Sequence, residues 1–380
     1  MRITGDWLIR PETQAVCRVL TEAGYRALFV GGCVRNALLG EPVADVDLST
    51  DALPETVSDL AENAGLKPVP TGIAHGTITV VSGGIPHEVT TFRHDVETFG
   101  RHARVAFAKT VEDDAARRDF TMNALYATPE GKVVDPLGGL ADLEARRVRF
   151  VGQPADRIAE DYLRILRFFR FHAWYGDPTR GLDADGLAAC AAGSEGLDAL
   201  SKERIGHEMR RLLAARDPAP SVAAMAQAGV LGRILPGADP RALPVLVHLE
   251  AGMDADWIRR LASIGGEDPA ERLRLSRAEA ERLDRIRGAA VSEAIAAVVG
   301  YRLGAGDGAD AVLVRAALLG QPLQPNWKAE VARGAAARFP VKAADLMPAL
   351  AGPALGARLS ELEARWIGSD FRLSRADLLG

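Results

Sequence analysis

The sequence has few of the residues that mark several familiar protein classes. It holds 3 cysteines in 380 residues. Cys17, Cys33 and Cys190 are odd in number, far apart and in no Cys-x-x-Cys pair. That excludes a disulfide framework and a zinc site, and fits a reducing cytoplasm. No run approaches the roughly 18 apolar residues needed to cross a bilayer. The opening stretch, Met-Arg-Ile-Thr-Gly-Asp-Trp-Leu-Ile-Arg-Pro-Glu, has no continuous apolar core of signal-peptide length. No membrane association is expected. Positive charge is not in excess either: the formal net charge is −5. Promiscuous nucleic-acid binding is therefore not expected, although local arginine clusters at 101 and 104, 117 and 118, 146 to 149 and 157 to 170 offer a stripe for a specific RNA. Short repeats and low-complexity tracts are absent. A chain of this length is expected to form two or more domains.

The most informative stretch is 28–50. An apolar run ending at Val30 reads as a buried strand. Gly31-Gly32 follows, and then a helical pattern (Val34, Ala37, Leu38, Leu39) that Gly40 stops. Val43 to Leu48 alternates like a second strand, which would set Asp45, Asp47 and Ser49 on one face. Two carboxylates side by side repel, and a divalent cation removes the conflict. Mg²⁺ favours one or two carboxylates plus phosphate oxygens, and a glycine turn at a helix N-terminus seats phosphates. The order strand, Gly-Gly, helix, Asp-x-Asp reads as a metal-dependent phosphoryl or nucleotidyl transferase. Each half alone has a bland reading, a tight connection or an acidic strand edge.

Three more clusters carry candidate chemistry. Glu88, on an expected strand at 86–92, is a candidate third carboxylate, or simply a solvated strand residue. Arg118, Asp119 and Asn123 lie on an expected buried helix, where they would grip a phosphate and a ribose hydroxyl or form an ion-paired face. Asp161, Arg164 and Arg167 follow i, i+3, i+6 along an expected helix ridge. An acceptor beside a donor fork can read the Watson–Crick edge shared by adenine and cytosine; a plain surface ion pair is the alternative. Residues 94–110 are polar and read as a mobile loop. After about residue 150, long Ala-, Leu- and Arg-rich stretches carry helical spacing.

Taken in order, these motifs resemble those of the class II CCA-adding tRNA nucleotidyltransferases, a family shared with bacterial poly(A) polymerases. The resemblance runs through Gly-Gly-Cys-Val-Arg (31–35), Asp-Val-Asp (45–47), His-Gly-Thr-Ile-Thr (75–79), Glu-Val-Thr-Thr-Phe-Arg (88–93) and Arg-Arg-Asp-Phe-Thr-Met-Asn-Ala (117–124). It continues through Asp-Pro-Leu-Gly-Gly-Leu-Ala-Asp-Leu (135–143), Val-Arg-Phe-Val-Gly (148–152), Glu-Asp-Tyr-Leu-Arg-Ile-Leu-Arg (160–167) and Glu-Arg-Ile-Gly-His-Glu (203–208).

The resemblance implies that Asp45 and Asp47 hold two Mg²⁺ ions. It implies that Gly32, Arg35 and Arg118 meet the triphosphate. Asp161 and Arg164 would select CTP or ATP, with Arg167 and Arg170 on the phosphates. Segment 94–110 would be the flexible loop that goes with terminal A addition. Asn36 departs from the family's usual Asp and puts any ion pair with Arg35 in doubt. After residue 150 the only histidines are His172, His207 and His248, none followed by Asp, so no appended phosphohydrolase domain is expected.

The implied fold is α+β: a nucleotidyltransferase head with a small mixed sheet (1–150), a helical neck (151–216), and an all-α body and tail for tRNA (217–380). The implied activity is template-independent addition of C, C and A to the tRNA 3′ end from CTP and ATP, releasing pyrophosphate. No obligatory protein partner is evident. The rival is poly(A) polymerase, which the acidic total disfavours.

Overall fold

The computed structural model describes residues 1–99 and 102–380, with the side chains of Thr71, Ala74 and 95–105 outside that description. The chain divides into two compact units, one of Met1–Ala238 with Arg272–Arg274, the other of Asp239–Glu271 with Leu275–Gly380. The fold class is α+β, as expected.

The first unit opens with helices α1 (Asp6–Ile9) and α2 (Pro11–Glu22), then strand β1 (Leu28–Val30), helix α3 (Gly32–Leu39), strand β2 (Asp47–Thr50) and helix α4 (Pro54–Asn63). Strands β3 (Lys67–Gly72), β4 (Thr77–Ser82), β5 (Ile85–Thr91), β6 (Arg93–Phe99) and β7 (His102–Phe107) follow. Next come α5 (Val111–Ala116), β8 (Tyr126–Ala127), β9 (Val133–Val134) and α6 (Gly139–Glu144). Helices α7 (Pro154–Glu160), α8 (Leu163–Tyr175), α9 (Ala184–Ala192) and α10 (Lys202–Leu213) then take over.

A seven-stranded sheet runs in the order β3-β4-β5-β2-β1-β8-β9. Only the β2–β5 pair is parallel. It aligns Asp47 with Glu88. Strand alternation buries Ile78, Val80 and Val89 while Glu88 faces solvent.

Four expectations need correction. The second strand starts only at Asp47, so Asp45 lies on the irregular approach to it rather than on the same strand face. Residues 93–99 and 102–107 form an antiparallel pair, not a loop; Gly100 and Arg101 are outside the described residues. Residues 117–125 are not a helix. Helix α5 stops at Ala116, Phe120 bridges Phe150, and Thr121–Asn123 make a single 3₁₀ turn. Burial decides this: Phe120 is fully enclosed, its ring centroid 4.9 Å from that of Phe150 and 5.0 Å from that of Phe171. Continuing α5 would forfeit that burial, worth about 1.5–3 kcal/mol for one such ring. Finally, Asp161 is not on the ridge of α8. It sits extended (φ −154°) in the break between α7 and α8, where its Oδ1 accepts from the Leu163 amide at 3.1 Å. A short acceptor side chain competes well for a helix's first free amides, which places it before the helix instead of in it.

The second unit is helical. A buried ionic cluster ties its helices: Arg259 donates to Glu250 at 2.6 Å and to Asp310 at 2.8 Å, and Arg260 to Glu250 at 2.9 Å. Arg282 pairs with Asp256 at 2.8 Å and Asp307 at 2.9 Å. Val341, Leu362, Trp366 and Leu378 form a separate apolar core.

Candidate active site

The site is built around the β1–α3 turn. Gly31 has φ +69°, a left-handed backbone that suits glycine, and its amide donates to Leu125 O at 3.1 Å. The turn leaves the first amides of α3 without helical partners, a seat for anionic groups. At the other end Gly40, also left-handed, closes the helix, with the Glu41 amide returning to Asn36 O at 2.9 Å.

A cavity of about 460 Å³ opens beside this turn. Gly31, Gly32, Arg35, Asp45, Asp47, Arg118, Asp119, Asn123, Arg167 and Arg170 all line it. Ten of the thirteen expected site residues thus converge from α3, β2, the 117–123 turn and α8. Glu88, Asp161 and Arg164 do not line it.

Each convergent side chain is held by others. Arg118 donates to Tyr126 Oη at 3.0 Å and to Asp114 Oδ2 at 2.8 Å. Asp114 is fully enclosed and also accepts from Tyr126 Oη at 2.7 Å and Arg117 at 3.0 Å. Burial pushes the Asp114 carboxyl up, but the two guanidiniums and the phenol outweigh it and hold the carboxyl at about 2. Asp119 follows the same logic. Burial opposes ionisation, yet Arg167 at 2.8 Å and the Asn123 amide at 2.9 Å hold it at about 2. Arg35 donates to Asn123 Oδ1 at 2.5 Å and stacks on Tyr175, its guanidinium carbon 3.9 Å from the ring centroid. Arg170 is buried on Glu208 at 2.6 Å.

Asn36 accepts from Arg35 Nη2 at 2.9 Å while its own amide donates to Pro42 O at 2.8 Å. The contact with Arg35 is therefore kept without a countercharge. The amide adds a donor that a carboxylate lacks.

Asp47 behaves differently from the other acids. Burial, and then Glu88 across the parallel pair, push its carboxyl up to about 6 against the pull of Arg118. Asp45 adds a smaller push and is exposed. Among the described residues no three His, Cys, Asp or Glu side chains converge as a metal set. Glu88 is Asp47's neighbour in register and in charge.

Asp161 and Arg164 are engaged elsewhere. Asp161 Oδ2 pairs with Arg204 at 2.7 Å. Arg164 pairs with Glu160 and donates to the Arg157 carbonyl at 2.7 Å.

Sequence reasoning missed Asp114, Tyr126, Tyr175 and Arg211. Asp114 carried a signal, since it stands three and four residues before Arg117 and Arg118 on one helix edge. Tyr175 and Arg211 meet the site only through the packing of α8 and α10, which no local spacing reveals. The 135–143 motif is also explained by structure: Asp135 accepts from the Gly139 and Leu140 amides at 2.8 and 3.0 Å. Buried Asp142 accepts from Thr121 Oγ1 at 2.7 Å and so fixes the turn that presents Asn123.

Residues 27–149 match the poly(A) polymerase head domain, and residues 182–241 the probable RNA- and SrmB-binding site of polymerase A. The CCA-adding enzyme of Geobacillus thermodenitrificans is 38% identical over 250 residues, 65% of this chain and 57% of that protein. The Bacillus cereus (strain Q1) CCA-adding enzyme is 34% identical over 270 residues, 69% of this chain and 66% of that protein. The chain thus spans under two thirds of the length of these curated relatives. The crystal structure of Bacillus stearothermophilus CCA-adding enzyme in complex with CTP matches with a TM-score of 0.70 at 27% identity, covering 95% of this chain and 94% of that one. The Thermotoga maritima CCA-adding enzyme complexed with tRNA shares the fold, with a TM-score of 0.70 at 18% identity over 99% of this chain and 97% of that one. The chain belongs to the tRNA nucleotidyltransferase/poly(A) polymerase family.

Proposed function

We propose that this protein adds C, C and A to the 3′ end of tRNA, using CTP and ATP and releasing pyrophosphate. The observation that carries the reading is the convergence on one cavity of a helix-N-terminal glycine turn, the Asp45 and Asp47 carboxylates and five arginines. Curated relatives and solved neighbours named as CCA-adding enzymes support the same activity. Residues 1–150 would serve as catalytic head and 151–216 as neck. Residues 217–380 would hold the tRNA, all in a reducing cytoplasm.

The donor set suits Mg²⁺. Asp47 and Asp45 offer hard carboxylate oxygens, and burial and Glu88 raise Asp47's proton affinity, a cost that a bound cation would remove. Asp45 and Asp47 leave room for phosphate and water oxygens, as Mg²⁺ prefers. Asp45 and Asp47 would hold a pair of such ions, which would supply activation of the primer 3′-hydroxyl and charge neutralisation at the α-phosphate.

The chain's own residues do the rest. The Gly31–Gly32 turn and the α3 amides bind the triphosphate. Arg118 and Arg167, already oriented by Asp114 and Asp119, present their remaining donors to it at no reorganisation cost. Asn123 and Asp119 would meet a ribose hydroxyl. Asp161 and Arg164 select the base, for which they must exchange Arg204 and Glu160 for the nucleobase edge.

The test supplies CTP, ATP, UTP and GTP, singly and together, to tRNA ending before C, CC or A, and sequences the 3′ ends. The reading expects tails that stop at CCA. Long A tails on arbitrary RNA would identify a poly(A) polymerase instead. No incorporation by the intact protein would overturn both.

A further inference from the structure

A second cavity, of about 1000 Å³, lies next to the first and shares Asn36 and Tyr175 with it. Trp174 lines this second cavity and is 47% exposed, an unusual setting for a large aromatic ring in the last turn of α8. The ring is fixed in place: its Nε1 donates to Arg211 O at 2.7 Å. The Arg211 side chain in turn lines the first cavity, so one residue pair joins the two spaces.

Cations flank this passage. Arg146 and Arg216 line the second cavity, and both are exposed. The Arg146 and Arg211 side chains enter no hydrogen bond or ion pair among the described residues, unlike Arg35, Arg118, Arg167 and Arg170 in the first cavity. Three carboxylates also line the cavity, Glu41, Asp177 and Asp217; of these, Asp177 accepts from the Thr179 amide at 2.9 Å and Asp217 from the Ala219 amide at 3.0 Å.

A rigid exposed indole between guanidiniums is the chemistry that holds unpaired nucleotides, bases on the ring and phosphates on the arginines. A mononucleotide would fill less than this space, and a peptide would not call for cations on both sides. We propose that the second cavity holds the unpaired 3′ end of the RNA primer. Its penultimate base stacks on Trp174, and its phosphates run from Arg146 to Arg211 toward the catalytic cavity. The inference rests on the proposed RNA-extending activity and names the path by which the primer enters.

The test uses the full chain and a tRNA ending in C, carrying 2-aminopurine at the preceding position. In the parent protein, binding quenches the 2-aminopurine emission by stacking. Trp174→Ala abolishes the quench and raises KM for tRNA about tenfold, as loss of one stacked base implies, with KM for CTP unchanged within twofold. Trp174→Phe keeps most of the quench and of the affinity. Arg146→Gln, which changes an exposed side chain that makes no hydrogen bond or ion pair among the described residues and leaves the backbone bonds of that position in place, raises KM for tRNA without touching KM for CTP. If Trp174→Ala fails to fold, Trp174→Phe and Arg146→Gln still decide the matter. An unchanged KM for tRNA in Arg146→Gln, or a quench that survives Trp174→Ala, overturns the primer path. A rise confined to KM for CTP reassigns the cavity to a mononucleotide and also overturns it. Absence of incorporation by the parent protein would sink the activity itself, a result distinct from these.

Discussion

Asp47 holds its proton more tightly than a carboxylate in water. Its carboxyl lies at about 6, against an ordinary value of 3.8. The folded protein therefore binds more protons than the unfolded chain between about pH 4 and pH 6, and its stability falls as pH rises through that window. Above pH 6 the full penalty persists unless a cation removes it. Asp47→Asn in chelator should be more stable than the parent by roughly 1–3 kcal/mol at pH 8, and equal to it near pH 4. Urea titration at both pH values reads this. The same variant should lose at least about 10³-fold in turnover with Mg²⁺ present. A variant less stable at pH 8, or one that remains active, would show that Asp47 is a packing residue.

The break between α7 and α8 carries the choice of nucleotide in the proposed reading. Asp161 is held there by the Leu163 amide and by Arg204, not by a helix ridge. Asp161→Ala removes the acceptor for the exocyclic amine of C or A. It should cut kcat/KM for CTP and ATP by roughly 10- to 150-fold, the range for a hydrogen bond to a charged group, while UTP and GTP change less. Equal losses for all four nucleotides would mean that Asp161 only shapes the break.

The same stretch shows what spacing can and cannot reveal. The Gly31-Gly32 turn, the helix ending at Gly40 and the strand that carries Glu88 were legible because each depends on local backbone chemistry. The 117–125 helix was misread because its polar residues keep helical spacing while Phe120 is pulled away to Phe150 and Phe171. Asp119 and Asn123 still meet, at 2.9 Å, by way of a tight turn instead of a helical one. Tyr175, Arg211 and the second cavity were illegible because they arise only where α8 and α10 pack.

The arginine stripe that suggested an RNA surface proves largely ion-paired among the described residues. Arg117 and Arg118 sit on Asp114, Arg147 and Arg149 on Asp142, Arg157 and Arg164 on Glu160, Arg167 on Asp119 and Arg170 on Glu208. Guanidiniums already neutralised release few counterions when RNA binds. With a total charge of −5, the chain should show a shallow salt dependence. The slope of log K against log[salt] for tRNA should fall near −2 to −4, since each phosphate contact adds about 0.7–0.9. Filter binding between 50 and 200 mM salt measures it. A slope steeper than about −6 would require the paired arginines to open toward the RNA.

The cysteines add a reporter that nothing in the chemistry needs. Cys17, Cys33 and Cys190 are all buried in the first unit, and the second unit has none. Burial raises Cys17 to about 12 and Cys33 to about 11, and pushes Cys190 up as well. At pH 8 their nucleophilic thiolate is scarce, and reagents reach them only when the fold opens. Labelling with a thiol reagent should therefore proceed at the opening rate of the first unit, and bound CTP with Mg²⁺ should slow Cys33 most, because it lines the catalytic cavity. Mass spectrometry of the three peptides would record, site by site, how often the catalytic half breathes.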